Sequence, residues 1–157
     1  MFRIVFFQPE IPPNTGNAIR LAANTGCELH LVEPLGFSLS ASHLRRAGLD
    51  YHDLAEVRVH PDLTAAWRAL LPATVYAFTT GARRRYTEVA YAPGDVLLFG
   101  PESVGLPGEV QHAAEVTDRL CLPMLPTSRS LNLANSAAIA VYEAWRQHDF
   151  PGVGRSR

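Results

Sequence analysis

An α/β fold, with a mainly parallel sheet flanked by helices, is the architecture this sequence predicts, and three observations lead to it. Short runs rich in β-branched and aromatic residues recur along the 157 residues, and helix-like stretches with start and stop signals separate them. Such alternation is the pattern of a parallel sheet with crossover helices. A hydrophobic content of 47% is enough for one core without help from disulfides or metal.

In chain order, Phe2 to Phe7 is the first expected strand, followed by a helix from Asn14 to Thr25 that Asn14 caps and Gly26 ends. Glu28 to Val32 is the second strand, Ser40 to Ala47 a helix, and Ala55 to Val59 the third strand. Pro61-Asp62 opens a helix reaching Leu71, and strands follow at Thr74 to Thr79 and Asp95 to Phe99. A short helical stretch comes after Pro107, the sixth strand covers Arg119 to Leu122, and a last helix runs from Leu131 to His148 with Ser130 as its cap. Residues 1–152 are expected to form a single domain, and 153–157 a flexible tail.

The formal net charge is −1, so a nucleic-acid partner would be held by a local basic patch and not by a globally basic surface. All fourteen basic residues are arginine, which excludes lysine Schiff-base chemistry and the phosphate-binding lysine of a P-loop. Cys27 and Cys121 are far apart and form no C-x-x-C pair, as expected of reduced thiols in a cytoplasmic protein. The apolar run of FRIVFFQPEIPP is too short for a signal peptide or membrane span. The six histidines have no companion pattern for a metal, so neither metal nor membrane is expected.

Three segments offer chemistry. PPNTGNAIRLAANTG, residues 12 to 26, follows a strand, the position where open α/β sheets bind ligands. On its helix Asn17, Arg20 and Asn24 share one face, either a solvated surface or a working one; asparagine is a poor helix former unless its amide has a partner. LLFGPESVGLP, residues 97 to 107, ends a strand in a glycine-proline turn, with Glu102 in it and Gly105 beyond. It is no nucleophile elbow, since Pro101 stands where the first glycine would be needed. LPMLPTSRSLNLANSAAIAVYEAW, residues 122 to 145, passes from a proline-held loop through a Ser/Asn cluster into a helix with two apolar stripes. The second stripe is expected to meet a helix of a partner subunit. Arg83-Arg84-Arg85 reads as a solvated loop or a phosphate contact, and Tyr142 as a core tyrosine or a substrate contact. The absence of G-x-G-x-x-G after any strand argues against a Rossmann dinucleotide site.

The order and content of these segments resemble the three motifs of the SPOUT superfamily of knotted RNA methyltransferases. The matching residues are N-T-G-N-x-x-R at Asn14 to Arg20, F-G-P-E-x-x-G-L at Phe99 to Leu106, and L-P-M followed by S-x-S-L-N-x-x-N between Leu122 and Asn135. LHLVEPLGF at 29–37, LRRAGLDYHDLAE at 44–56 and VYEAWRQ at 141–147 are similar to the minimal TrmL/YibK-like branch, and the likeness spans Met1 to Gly152.

The resemblance implies a C-terminal deep trefoil knot, S-adenosyl-L-methionine as methyl donor, and a homodimer built on the first and last helices. It implies 2′-O-ribose methylation of the wobble nucleotide, position 34, a cytidine or modified uridine, in tRNA-Leu isoacceptors. The family's cofactor positions fall on Phe78, Gly100, Leu122 and Ser130, with Met124 and Leu131 nearby. Dimerisation would bring Asn14, Asn17 and Arg20 toward the partner's cofactor. Arg20 then stabilises a phosphate or the developing oxyanion, because a guanidinium is a poor base. Glu102 is an alternative proton acceptor or arginine partner, and Tyr142 could reach the substrate. Arg83, Arg84, Arg85, Arg129 and Arg155 would bind the anticodon stem-loop. The same chemistry at another tRNA or rRNA site, and a non-catalytic RNA-binding module that kept the pocket, are the alternatives.

Overall fold

A computed structural model describes residues 1–39 and 57–154. Seven strands appear among the described residues: β1 (Arg3–Phe7), β2 (Glu28–Val32), β3 (Val57–His60), β4 (Val75–Phe78), β5 (Arg84–Arg85), β6 (Val96–Phe99) and β7 (Asp118–Cys121). They form one sheet in the order β3-β2-β1-β6-β4-β7-β5, and every pairing is parallel. The helices are α1 (Pro12–Thr25), α2 (Leu63–Leu70), α3 (Gly108–Gln111) and α4 (Leu133–Arg146). The expected helix from Ser40 to Ala47, and Ala55 at the start of the third expected strand, lie outside the described residues.

A parallel sheet covered on both faces needs near-continuous apolar strands, and β1 after Arg3, β4 and β6 meet this with IVFF, VYAF and VLLF. Alternation sends Ile4, Phe6, Leu29, Leu31, Tyr76, Phe78, Leu97 and Phe99 to the face covered by α1 and α4. Val5, Phe7, Val32, Val75, Ala77, Val96 and Leu98 go to the other face, against Ala66, Trp67 and Leu70 of α2 and Val110 of α3. Ala137, Ala140 and Ala144 are fully buried where α4 packs on α1 and on the sheet. The alanine stripe of α4 thus finds cover within one chain, contrary to the expectation that it meets a helix of a second subunit, while Leu131 of the other stripe is 41% exposed. Small side chains let the two helices approach closely enough for this.

Two of the expected helix caps differ in the structure. α1 starts at Pro12, with Ile11 as its cap residue, so Asn14 lies inside the helix and does not cap it. Pro12 supplies the fixed φ of a first helical position, and Gly26 closes the helix in the left-handed region at φ 69°. α4 is capped by Asn132, whose side chain accepts from Asn135 N at 3.2 Å, and not by Ser130. Asp62, one of the pair expected to open α2, caps it by accepting from Ala65 N at 2.7 Å. The sheet also gains an edge strand where a loop was expected, since Arg84 and Arg85 pair with Leu120 and Cys121.

Candidate active site

At the carboxyl ends of β1, β4, β6 and β7 the connecting loops enclose a cavity of about 790 Å³, the usual size and place for a ligand in such a sheet. Its lining joins residues far apart in sequence: Ile11 and Asn14, the turn after Phe78, the loop from Gly100 to Leu106, and the stretch from Leu122 to Leu133. Phe78 and Phe99 are register partners on β4 and β6, and their rings stack with centroids 4.6 Å apart. Phe6 meets Phe99 edge-on at 6.0 Å. The cavity therefore has an aromatic base that packing holds rigid.

One wall is the loop that leaves β6. Gly100 has no room for a side chain: a Cβ there would stand 2.2 Å from Leu106 N and 2.4 Å from Gly105 C. The loop folds back on itself, Gly105 N donating to Pro101 O at 2.9 Å with Gly105 at φ 69°. Leu106 is buried and its carbonyl accepts from Gln111 Nε2 at 2.7 Å, tying the end of the loop to α3.

A chain of amides joins the three segments. Because Asn132 Oδ1 is engaged by the N–H of Asn135, its Nδ2 is the group that donates to Asn14 Oδ1, at 2.8 Å. Asn14 is only 4% exposed, and its own Nδ2 donates to Glu102 Oε1 at 3.0 Å. Glu102 accepts further from Glu10 N at 2.7 Å and Ile11 N at 3.1 Å. These are backbone groups where α1 begins, the positive end of that helix. Each donor fixes the next acceptor, so the chain has a single orientation. The Glu102 carboxylate is thereby committed to three donors, a structural use that sequence reasoning did not assign to it.

The cavity gathers Phe78, Gly100, Leu122, Met124, Ser130, Leu131, Arg129, Asn14 and Glu102 in its lining. Asn17 and Arg20 lie on the exposed face of α1 outside that lining, and Tyr142 is 47% exposed on α4, so it is not a core tyrosine. Arg83, Arg84 and Arg85 are off the cavity at the sheet edge; Arg84 pairs with Asp118 and Arg85 with Glu88. Arg155 lies outside the described residues. Sequence reasoning missed Phe99, Thr79, Thr80, Leu133 and Ser136 in the lining. Phe99 was legible as the strand-end partner of the Gly-Pro-Glu turn, whereas the others depend on strand order.

Residues 1–142 match the SpoU rRNA methylase family. A tRNA (cytidine(34)-2'-O)-methyltransferase of Methylovorus glucosotrophus is 56% identical over 153 residues, 98% of this chain and 99% of that one. Among solved structures, one described as giving structural insights into the 2-OH methylation of C/U34 on tRNA matches with a TM-score of 0.87 and 47% identity. It covers 95% of this chain and 97% of that one. An AdoMet-bound rRNA methyltransferase from Sinorhizobium meliloti matches with a TM-score of 0.76 and 26% identity, over 92% of this chain and 56% of that one. By the family match along most of its length and by identity to a near full-length relative, this chain belongs to the SpoU methylase family.

Proposed function

We propose that this chain transfers a methyl group from S-adenosyl-L-methionine to the ribose 2′-oxygen of wobble nucleotide 34 in tRNA. The observation that carries the reading is the convergence of three motif segments, separated by most of the chain, on one cavity at the strand ends. High identity to a tRNA (cytidine(34)-2'-O)-methyltransferase over nearly the whole chain supports the substrate.

The residues present fit the donor. A stacked aromatic base and the side chains of Leu122, Met124 and Leu131 suit an adenine ring, while the loops at Gly100 and Leu122 present backbone to it and Ser130 a hydroxyl. When bound, the donor supplies a methyl carbon made electrophilic by its sulfonium. The protein orients the attacking hydroxyl, excludes water and helps the proton leave. Arg20, through the N–H donors of its guanidinium, stabilises a phosphate or the growing negative charge on the 2′-oxygen. Asn17 shares its face of α1, and Tyr142 approaches from α4. Glu102 is the latch that aligns Asn14 and the start of α1, its Oε1 accepting from two donors and its Oε2 from one, which leaves Oε2 able to accept a further hydrogen bond.

Two arrangements complete the reading. One is a homodimer through α1 and α4, in which Arg20 and Asn17 of one protomer serve the cavity of the other. It is supported by their absence from their own cavity's lining and by the exposure of Ile139 at 39% and Tyr142 at 47% on α4. The other is a trefoil knot. The connection leaving β4 runs out past β7 to β5 and returns to β6, which supports a loop wide enough for the C-terminal segment to thread. Arg129 and Arg83 to Arg85 would contact an unstacked anticodon loop, a reading supported by their exposure, with Arg84 and Arg85 exchanging their carboxylate partners for phosphate.

The test is nucleoside mass spectrometry of tRNA from a deletion strain. Loss of the 2′-O-methyl group at position 34, in the leucine isoacceptors first, is expected, and its return with the cloned gene. Full wobble methylation in the deletion strain would overturn the reading.

A further inference from the structure

We propose that Glu10, which belongs to none of the three motif segments and does not line the cavity, is a positioning residue for the methyl-donor site. Its carboxylate grips Ser103 and so holds the loop from Gly100 to Leu106 in the shape that forms the cavity wall. This rests on the reading of the cavity as the donor site.

The two loops clasp one another. Glu10 Oε2 accepts from Ser103 N at 2.9 Å and Glu10 Oε1 accepts from Ser103 Oγ at 2.8 Å. In return Glu10 N donates to Glu102 Oε2 at 2.7 Å. Neighbouring residues of one loop therefore bind the same residue of the other, once through its carboxylate and once through its backbone. Two-point acceptance by a carboxylate fixes direction as well as distance.

Glu10 itself is backed by a third loop. A Cβ at Gly36 would lie 2.8 Å from Glu10 Cα and 2.9 Å from Glu10 O, and Gly36 N donates to Pro9 O at 2.9 Å. The backbone of Glu10 is thus wedged between Gly36 and Glu102, a firm base for its side chain. The arc it holds is not firm on its own. Ser103, Val104 and Gly105 are exposed, Val104 at 77%, and the arc's own internal tie is the Gly105 to Pro101 bond. Among the described residues, the grip on Ser103 is the side-chain hydrogen-bonded link between this arc, from beyond Glu102 to the buried Leu106, and the rest of the protein. Ser103, Val104 and Gly105 all line the cavity. An arc left to sample other conformations must be ordered again when a ligand binds, and that cost appears as lost affinity for the ligand it touches.

Titration of S-adenosylhomocysteine into the wild type and into E10A, E10Q, S103A and E10A/S103A tests the proposal, alongside steady-state methylation of tRNA. E10A should raise Kd for S-adenosylhomocysteine and KM for the donor by roughly five- to tenfold, the scale of one hydrogen-bonded carboxylate. Its kcat at saturating donor and its KM for tRNA should stay within about twofold, because Glu10 acts through the wall and not on the reacting atoms. S103A should show part of the loss, E10Q should recover part of it, and the double variant should be no worse than E10A. A normal donor KM in E10A, additive losses in the double variant, or a loss confined to kcat or tRNA KM would each overturn the proposal. Should E10A fold poorly, E10Q and S103A carry the same comparison, since E10Q keeps the length of the side chain and S103A removes only the hydroxyl contact. A wild type that does not bind S-adenosylhomocysteine would instead overturn the reading of the cavity.

Discussion

At Gly100 one methyl group separates a closed loop from an open one. The atoms it would meet, Leu106 N and Gly105 C, are backbone and cannot turn aside as the end of a side chain can. Gly100→Ala should therefore cost about 3 kcal/mol, the upper end of the overpacking range, in urea unfolding, and should abolish detectable donor binding in calorimetry. A different residue-scale effect belongs to His30 and His60, stacked with ring centroids 5.1 Å apart on β2 and β3. His30 Nε2 faces Glu28 Oε2 at 3.1 Å and carries the proton there, so its Nδ1 must accept from His60 Nε2 at 2.8 Å. Burial lowers the His30 pKa, opposed by its bond to Glu28, and the charge on His60 lowers it further. Burial also lowers that of His60, helped by Arg58. Both folded-state values thus lie below the unfolded one of about 6.5. The unfolded chain binds more protons between those values, so stability holds above pH ~6.5 and falls as the pH drops through the folded pKa values. Urea midpoints from pH 7.5 to pH 5 should decline in the wild type, with a shallower slope in His30→Leu. Equal slopes would show that the pair does not titrate on unfolding.

The start of α4 does two jobs at Asn132, and an element-scale experiment separates them. Asn132→Ala removes the cap and should cost about 1 kcal/mol of stability. Asn132→Asp keeps an acceptor for Asn135 N and suits the positive helix end, so the melting temperature should change little. It loses the Nδ2 donor, however, and sets an acceptor against Asn14 Oδ1, 2.8 Å away in the wild type. The relay to Glu102 must then break, and methyl transfer should fall by about tenfold while the fold persists. Equal activity in Asn132→Asp and wild type would show that the relay is not needed. The sequence marked this turn as a polar cluster but did not reveal which member caps: Ser130 and Asn132 are both acceptable caps, and the Asn14 amide, 118 residues away, decides between them. Asn14 was misplaced for the same reason. It has the composition of a cap, but Pro12 fits the first helical position and leaves Asn14 free to reach Glu102. The body of α4 yields a third prediction: Ala140→Leu, at a fully buried contact with the interior, should destabilise each chain by about 1 to 3 kcal/mol.

At the scale of the whole molecule, what the sequence revealed was periodicity and what it hid was adjacency. Apolar runs such as VYAF and VLLF announce buried parallel strands because both faces need cover, and with the more polar β2, β3 and β7 six strands were legible. The strand β5 was not, since it consists of two exposed arginines in register with Leu120 and Cys121, a pairing no apolar pattern announces. Nor does any local pattern specify that β6 lies between β1 and β4, the placement that brings Asn14 beside Glu102 and Phe78 beside Phe99. The three motifs could be found by resemblance, but the Glu10 to Ser103 clasp exists only after the sheet is ordered. The same distinction bears on assembly. One chain encloses the cavity by itself, yet the face of α1 bearing Asn17 and Arg20 is directed elsewhere, and α4 leaves Ile139 partly uncovered beside Tyr142. If two copies meet there, Ile139→Glu places a charge where an apolar contact belongs and should shift the protein from dimer to monomer in sedimentation equilibrium. Donor binding, if the cavity lined by one chain holds the donor by itself, should change by less than about threefold, within ~0.7 kcal/mol. Methyl transfer should fall by about a hundredfold, the cost of removing one electrostatic stabiliser from a transition state, because Arg20 would no longer reach a cavity. A monomeric Ile139→Glu protein with undiminished transfer would show that one chain suffices and would remove Arg20 from the role given to it.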